Sequence, residues 1–181
     1  MKPLAEMSIG ELAAYISSHL RGLGIDVVLS GGSCVSIYSA GKYVSQDLDF
    51  IDTRFATGRE IREAMLAIGF VPENRYFQHP QVDLLVEFPS GPPAVGKEPV
   101  GAINEIEFST GVLRLLSPTD CVKDRLAAYY HWDDLQSLEQ AVLVAQSNRI
   151  DANEVKRWSR EEGMARAFAR IAPRFPWKSS D

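Results

Sequence analysis

The chain has 181 residues, of which 45% are hydrophobic, and a net charge of −5, the size of one domain, or of a core with a helical extension, with enough apolar material for a sizeable interior. The acidic balance argues against a broad nucleic-acid grip, which needs a basic surface. No apolar run reaches membrane-spanning length, and the first residues lack the basic-then-apolar order of a signal peptide. The charge is uneven: Arg149 to Asp181 holds eight basic and five acidic residues, net +3, which leaves the preceding residues at net −8. Cys34 and Cys121 fall inside predicted helices and read as free thiols of a reducing compartment. A cytoplasmic protein without a membrane partner is expected.

In chain order, Ser8 and Glu11 make a capping-box pattern, and Ile9, Leu12, Ile16 and Leu20 share one helical face before Gly22 and Gly24 stop it. Val27–Leu29 is a short strand. It breaks at Ser30-Gly31-Gly32-Ser33, runs into a short helix expected to begin at Ser33, and reaches a second strand bearing Asp47-Leu48-Asp49-Phe50. Strand side chains alternate between faces, so Asp47 and Asp49 share one face and Leu48 and Phe50 the other. A helix is predicted from Thr57 to Ile68, then an edge hairpin through Phe70–Val71 and Arg75–His79. The next strand, Val82–Phe88, puts Asp83, Leu85 and Glu87 on one face and Val82, Leu84, Val86 and Phe88 on the other.

Residues 89–99 are Pro/Gly-rich and predict neither strand nor helix, but a flap over a site or an exposed connection. A strand pair follows, Ile103–Phe108 and Val112–Leu116. Ser117-Pro118-Thr119-Asp120 is a strong helix start, Asp133 or Asp134 begins another helix, and Asp151 with Glu154 a third. In the tail, Val155, Trp158, Met164, Phe168 and Ile171 interleave with basic residues. That pattern fits amphipathic helices closing the domain, or a surface for RNA or a protein partner.

The chemistry concentrates between Val27 and Phe50. Two carboxylates on one strand face repel each other in positions Asp disfavours. A divalent cation relieves that cost, and oxygen-only ligands suit Mg2+ or Mn2+. Upstream, Gly31 and Gly32 let backbone approach a ligand, and the helix start offers free N–H groups to an anion. His19, His79 and His131 are far apart in sequence and have no partner at zinc-ligand spacing. A dinucleotide-binding reading lacks the third glycine and leaves the Asp pair unexplained.

Gly31-Gly32-Ser33 after a strand, followed by Asp47-x-Asp49 after an intervening helix, resembles the signature of the nucleotidyltransferase fold of the DNA polymerase beta superfamily, most nearly its small bacterial AbiEii-type members. The resemblance implies an α/β (α+β) fold: a mixed sheet flanked by helices over residues 1–116, with a C-terminal helical region, 117–181, packed on it. It implies a third carboxylate on a later strand, for which Asp83 fits, with Glu87 as the lesser alternative. It also implies a basic residue near the triphosphate, Lys123 or Arg125, followed by an acid, Asp134; Lys42 is either a phosphate contact or a solvated loop lysine. The implied activity is Mg2+- (or Mn2+-) dependent transfer of a nucleoside monophosphate from a nucleoside triphosphate such as ATP. Asp47, Asp49 and Asp83 would hold the metal, and Gly31, Gly32 and Ser33 the phosphates. The acceptor is open between tRNA, a protein hydroxyl and a small molecule. The alternative is a catalytically inactive module of the same fold, such as a toxin–antitoxin partner.

Overall fold

The computed structural model describes residues 2–89 and 94–177. Helix α1 (Ile9–Gly22) begins at the Ser8–Glu11 capping box: the Ser8 hydroxyl accepts from the Glu11 N–H, and Glu11 accepts from the Ser8 N–H. Strand β1 (Val27–Ser30) then enters the centre of the molecule, fully buried. Helix α2 (Gly31–Tyr38) follows without a linker, and β2 (Asp47–Asp52) returns antiparallel to β1. Helix α3 (Gly58–Ala67) starts at a second capping box, Thr57 with Glu60.

Three strands come next, β3 (Val71–Glu73), β4 (Tyr76–His79) and β5 (Val82–Glu87). A small hairpin, β6 (Ala94–Val95) and β7 (Glu98–Pro99), precedes the long pair β8 (Ile103–Phe108) and β9 (Gly111–Leu116). Helices α4 (Pro118–Trp132), α5 (Leu135–Ser147), α6 (Ala152–Glu161) and α7 (Ala165–Ile171) complete the chain. Strands β3-β4-β5-β2-β1-β9-β8, in that order, form one mixed sheet. Strand β5 is parallel to β2 and β9 is parallel to β1. The expected mixed sheet flanked by helices is the fold observed.

The core follows from strand alternation. Leu48 and Phe50 of β2 are fully buried, with Leu29 of β1 opposite Phe50 and Leu115 of β9 opposite Leu29. Leu12, Ile16 and Leu20 of α1 and Met65 of α3 are buried in the same apolar cluster, which also takes in Leu126, Val144, Val155 and Trp158 of the C-terminal helices. Burying a Leu, Ile or Phe side chain contributes roughly 1.5–3 kcal/mol, so the continuous cluster is what holds α4 to α6 against the sheet. Tyr38 at the end of α2 ties the layers together, its hydroxyl donating to the Leu116 carbonyl at 2.6 Å.

Two local expectations change. Helix α2 starts at Gly31 rather than Ser33, because Gly31 takes a φ of +66° and turns the chain into the helix two residues early. Of the Pro/Gly-rich stretch, residues 90–93 lie outside the described residues, and residues 94–99 form a hairpin where no strand was expected. The hairpin docks on α6: Trp158 Nε1 donates to the Val95 carbonyl at 3.2 Å, and Arg157 donates to Glu98 at 2.6 and 2.8 Å. Among the described residues, no helix is long and apolar enough to cross a membrane.

Candidate active site

The acid pair stands where β1, α2 and β2 meet. Leu48 and Phe50 are pulled into the core, so Asp47 and Asp49 are turned to the opposite face, partly exposed. Ser30, the last residue of β1, lies opposite Asp49 and donates its hydroxyl to the Asp49 carbonyl at 3.2 Å. The Ser45 hydroxyl donates to Asp47 Oδ1 at 2.9 Å.

The carboxylate of Asp49 sits directly on the first residue of α2. A Cβ at Gly31 would lie 2.1 Å from Asp49 Oδ2, so only glycine fits between the acid and the helix start, quite apart from its left-handed φ. A Cβ at Gly32 would lie 2.9 Å from Ser45 Oγ and 3.2 Å from the Tyr43 hydroxyl. Ser30 gives α2 no side-chain cap, which leaves the first-turn N–H groups as a local positive pole. The Ser33 hydroxyl is buried and donates to the Ser30 carbonyl at 3.1 Å, so its backbone N–H is the group left for an anion.

Strand register decides the third acid. In the parallel β2–β5 pair, Asp47 is opposite Leu85 and Asp49 is opposite Glu87. Paired residues of neighbouring strands point to the same face, so Glu87 joins the two aspartates. Asp83 is four residues earlier, about 13 Å along a strand from the level of Glu87. It is exposed at the far end of β5, beside Val44 and Gln46. On that shared face Glu87 is level with Asp49, while Asp83 lies two residues before Leu85, the partner of Asp47, and is exposed.

The basic residues separate as sharply. Lys123 is buried, its ammonium 3.0 Å from Asp120 and 3.1 Å from Glu154. It is a structural ion, shared between α4 and α6, and not a group facing the acids. Arg125 instead acts on Asp49 through its charge. It donates to Asp124 at 2.6 and 3.0 Å and to Gln140 at 3.4 Å. Although burial works against its charge, Asp124 keeps the guanidinium firmly protonated, with Asp49 also contributing. Asp134 caps α5, accepting from the Gln136 and Ser137 N–H groups, and Lys42 is exposed in the loop before β2.

Sequence reasoning did not single out Arg75. It sits in the β3–β4 turn with Nε 3.5 Å from Glu87, donates to the Tyr76 hydroxyl, and lies 4.7 Å from the centre of the Tyr76 ring. Tyr76 is the cross-strand partner of Glu87. The signal was non-local, since it needed the β4–β5 register.

Burial pushes the Asp49 carboxyl up to about 7; Asp47 adds to this, Arg125 draws it down, and Glu87 and Asp124 make further upward contributions. Among the described residues the Asp49 side chain accepts no hydrogen bond, so its oxygens are not already committed. Hard oxygen donors, mutual repulsion and an uncommitted carboxylate are the conditions a divalent cation relieves. Against this, among the described residues no three Asp, Glu, His or Cys side chains are gathered closely enough to hold an ion.

The fold has counterparts of known structure. An antigenic nucleotidyltransferase-like protein from Paracoccidioides brasiliensis superposes with a TM-score of 0.65, covering 99% of this chain and 97% of that one at 15% identity. The fold is that of the nucleotidyltransferases. The antibiotic-resistance factor ANT(2'')-Ia, in its solution structure, has the same fold, with a TM-score of 0.53, 15% identity, and coverage of 91% of this chain and 93% of that one. No family model and no curated protein matches the sequence. At this identity the likeness to nucleotidyltransferases is one of fold.

Proposed function

We propose that the chain transfers a nucleoside monophosphate from a nucleoside triphosphate to an acceptor hydroxyl. The observation that carries the reading is the seating of Asp49 on Gly31, which joins an acid pair to an uncapped helix start in a nucleotidyltransferase fold. Residues 1–116 would carry most of the site and the helical region 117–181 would add Arg125. Asp47 and Asp49 would hold Mg2+ or Mn2+, with Glu87 closing on the ion beside Asp49; the ion would neutralise phosphate charge and lower the pKa of the attacking hydroxyl. The N–H groups of Gly31, Gly32 and Ser33 would take the outer phosphates. Arg125 would offset charge on the leaving pyrophosphate. The free thiols and the triphosphate substrate suit the cytoplasm.

The AbiEii-type likeness rests on the sequence motif alone. The resemblance to ANT(2'')-Ia, an antibiotic-resistance factor, favours a small-molecule acceptor over tRNA or protein.

One observation favours a second reading, a module of this fold that binds a partner without catalysis, as in a toxin–antitoxin pair. Gly31 and Gly32 are buried beneath Asp49, Ser45 and Tyr43, so these side chains must move before a phosphate reaches the helix start. Incubation with α-labelled nucleoside triphosphates, Mg2+ and cell extract separates the two. Transfer of label by the wild type and not by Asp49→Asn supports the enzyme; no label transferred with any nucleotide supports the binding module.

A further inference from the structure

The C-terminal helices carry a cavity of about 540 Å³ that is separate from the acids, with walls from α6, α7 and the segment after α7. The α6 wall is polar. Asn153, Lys156 and Arg160 line it at spacings of three and four residues, which places them on one helical face. Lys156 and Arg160 are exposed, and Arg160 is paired with its equally exposed neighbour Glu161 at 3.3 Å, a contact of little worth in water. Arg157, also in the lining, is committed to Glu98 and Glu154. Among the described residues no carboxylate lines the cavity.

The opposite wall is apolar. Ala165, Ala169 and Ala172 are too small to fill the space, and Phe168 and Trp177 bound it. The Trp177 ring stacks on Phe175 with centroids 4.7 Å and planes 10° apart, and its Nε1 donates to the Ala172 carbonyl at 3.0 Å. Phe175 is buried and outside the lining, so the indole is backed on one side and half-exposed toward the cavity. A backed aromatic face beside an apolar floor receives a flat ring, and two cations one helical turn apart receive phosphate. The surroundings have the matching charge: residues 149–181 are net +3 in a chain of net −5. Arg166 and Arg170, exposed on α7, continue the positive surface beyond the cavity.

We propose that this cavity holds one nucleotide of a single-stranded nucleic acid. Its base lies against Trp177 and Phe168, with the Asn153 amide at the rim, and its phosphates lie against Lys156 and Arg160. The volume is that of a small-molecule site. Arg166 and Arg170 favour a strand over a free mononucleotide, because the backbone on either side of the bound unit meets further cations. The acidic remainder of the chain limits the grip to this one end. The site needs no metal and does not rest on nucleotidyl transfer.

The test follows the fluorescence anisotropy of labelled hexauridylate with EDTA present, so that a metal at the acids cannot contribute and the two readings fail separately. The proteins are the wild type, Lys156→Ala/Arg160→Ala, Ala169→Glu, and Arg59→Ala as a cation removed elsewhere. The proposal expects saturable binding that falls about sevenfold between about 50 and 200 mM salt, as two neutralised phosphates of a single strand require. The double variant and Ala169→Glu should each weaken it at least about tenfold, and Arg59→Ala should not. Lys156, Arg160 and Ala169 are exposed, so an unchanged melting temperature shows that these variants are folded. Unlabelled UMP and hexaglutamate should each compete at least about tenfold more weakly than unlabelled hexauridylate. No saturable binding, equal binding by all four proteins, or competition by UMP or hexaglutamate as strong as by the hexamer overturns the proposal.

Discussion

The raised carboxyl of Asp49 predicts an unusual contribution to stability. Its folded value of about 7 against an ordinary 3.8 means that the native state holds this proton more tightly than the unfolded chain. The contribution is fully present below about pH 4 and is lost as pH rises to about 7, because there the native state must ionise a carboxyl crowded by burial and by Asp47. A difference of about three pH units corresponds to ~4 kcal/mol at 1.36 kcal/mol per unit. Asp49 is partly exposed, and solvent screening reduces this to ~2 kcal/mol. In a chain of this size that is a shift of ~6 °C in melting temperature. Other carboxylates titrate over the same range, so the quantity to read is the difference between wild type and Asp49→Asn, by circular dichroism from pH 4 to pH 8. The two should melt together at pH 4, and the variant should melt ~6 °C higher at pH 8. Saturating MgCl2 should close that gap, since a bound cation favours the ionised acid. Parallel curves for the two proteins across the whole range would refute the reasoning.

Other consequences follow from single contacts. Lys123→Met leaves Asp120 buried without its cation and should cost ~3–5 kcal/mol in urea unfolding, where a surface lysine would cost almost nothing. Gly31→Ala places a methyl group on the Asp49 carboxylate and should cost at least ~2 kcal/mol and abolish nucleotide binding, whereas Gly41→Ala, with nothing within 4 Å of its Cβ, should cost only the ~1 kcal/mol of its left-handed backbone. Glu87→Gln should weaken Mg2+–nucleotide binding at least about tenfold, as loss of a charged ligand does, and Asp83→Asn should leave it unchanged. The opposite ranking, measured by calorimetry, would restore Asp83 as the third acid.

What was legible in the sequence was local. The Ser8–Glu11 box, the Thr57 helix and the Asp47/Asp49 alternation each need only a few neighbouring residues, and each is present in the structure. What was not legible depended on pairing between distant segments. Asp83 and Glu87 lie on one strand face, and only the parallel β2–β5 register shows which of them meets Asp49. Lys123 and Arg125 are two residues apart on one helix. Glu154, 31 residues later, captures the first, while the second pairs with Asp124 and its charge acts on Asp49. The hairpin at 94–99 has weak local signals and owes its place to Trp158 and Arg157. The orientation of the Ser33 hydroxyl is set the same way: once Gly31 opens the helix, it points back at Ser30.

In the proposed function a cation on Asp47 and Asp49, joined by Glu87, prepares a triphosphate site at the start of α2. Isothermal titration of ATP, GTP, CTP and UTP, each with and without MgCl2, tests it most directly. The account predicts that at least one nucleotide binds only when Mg2+ is present, and that Asp49→Asn removes that binding. Failure of all four to bind, or binding indifferent to both the metal and Asp49, would contradict it.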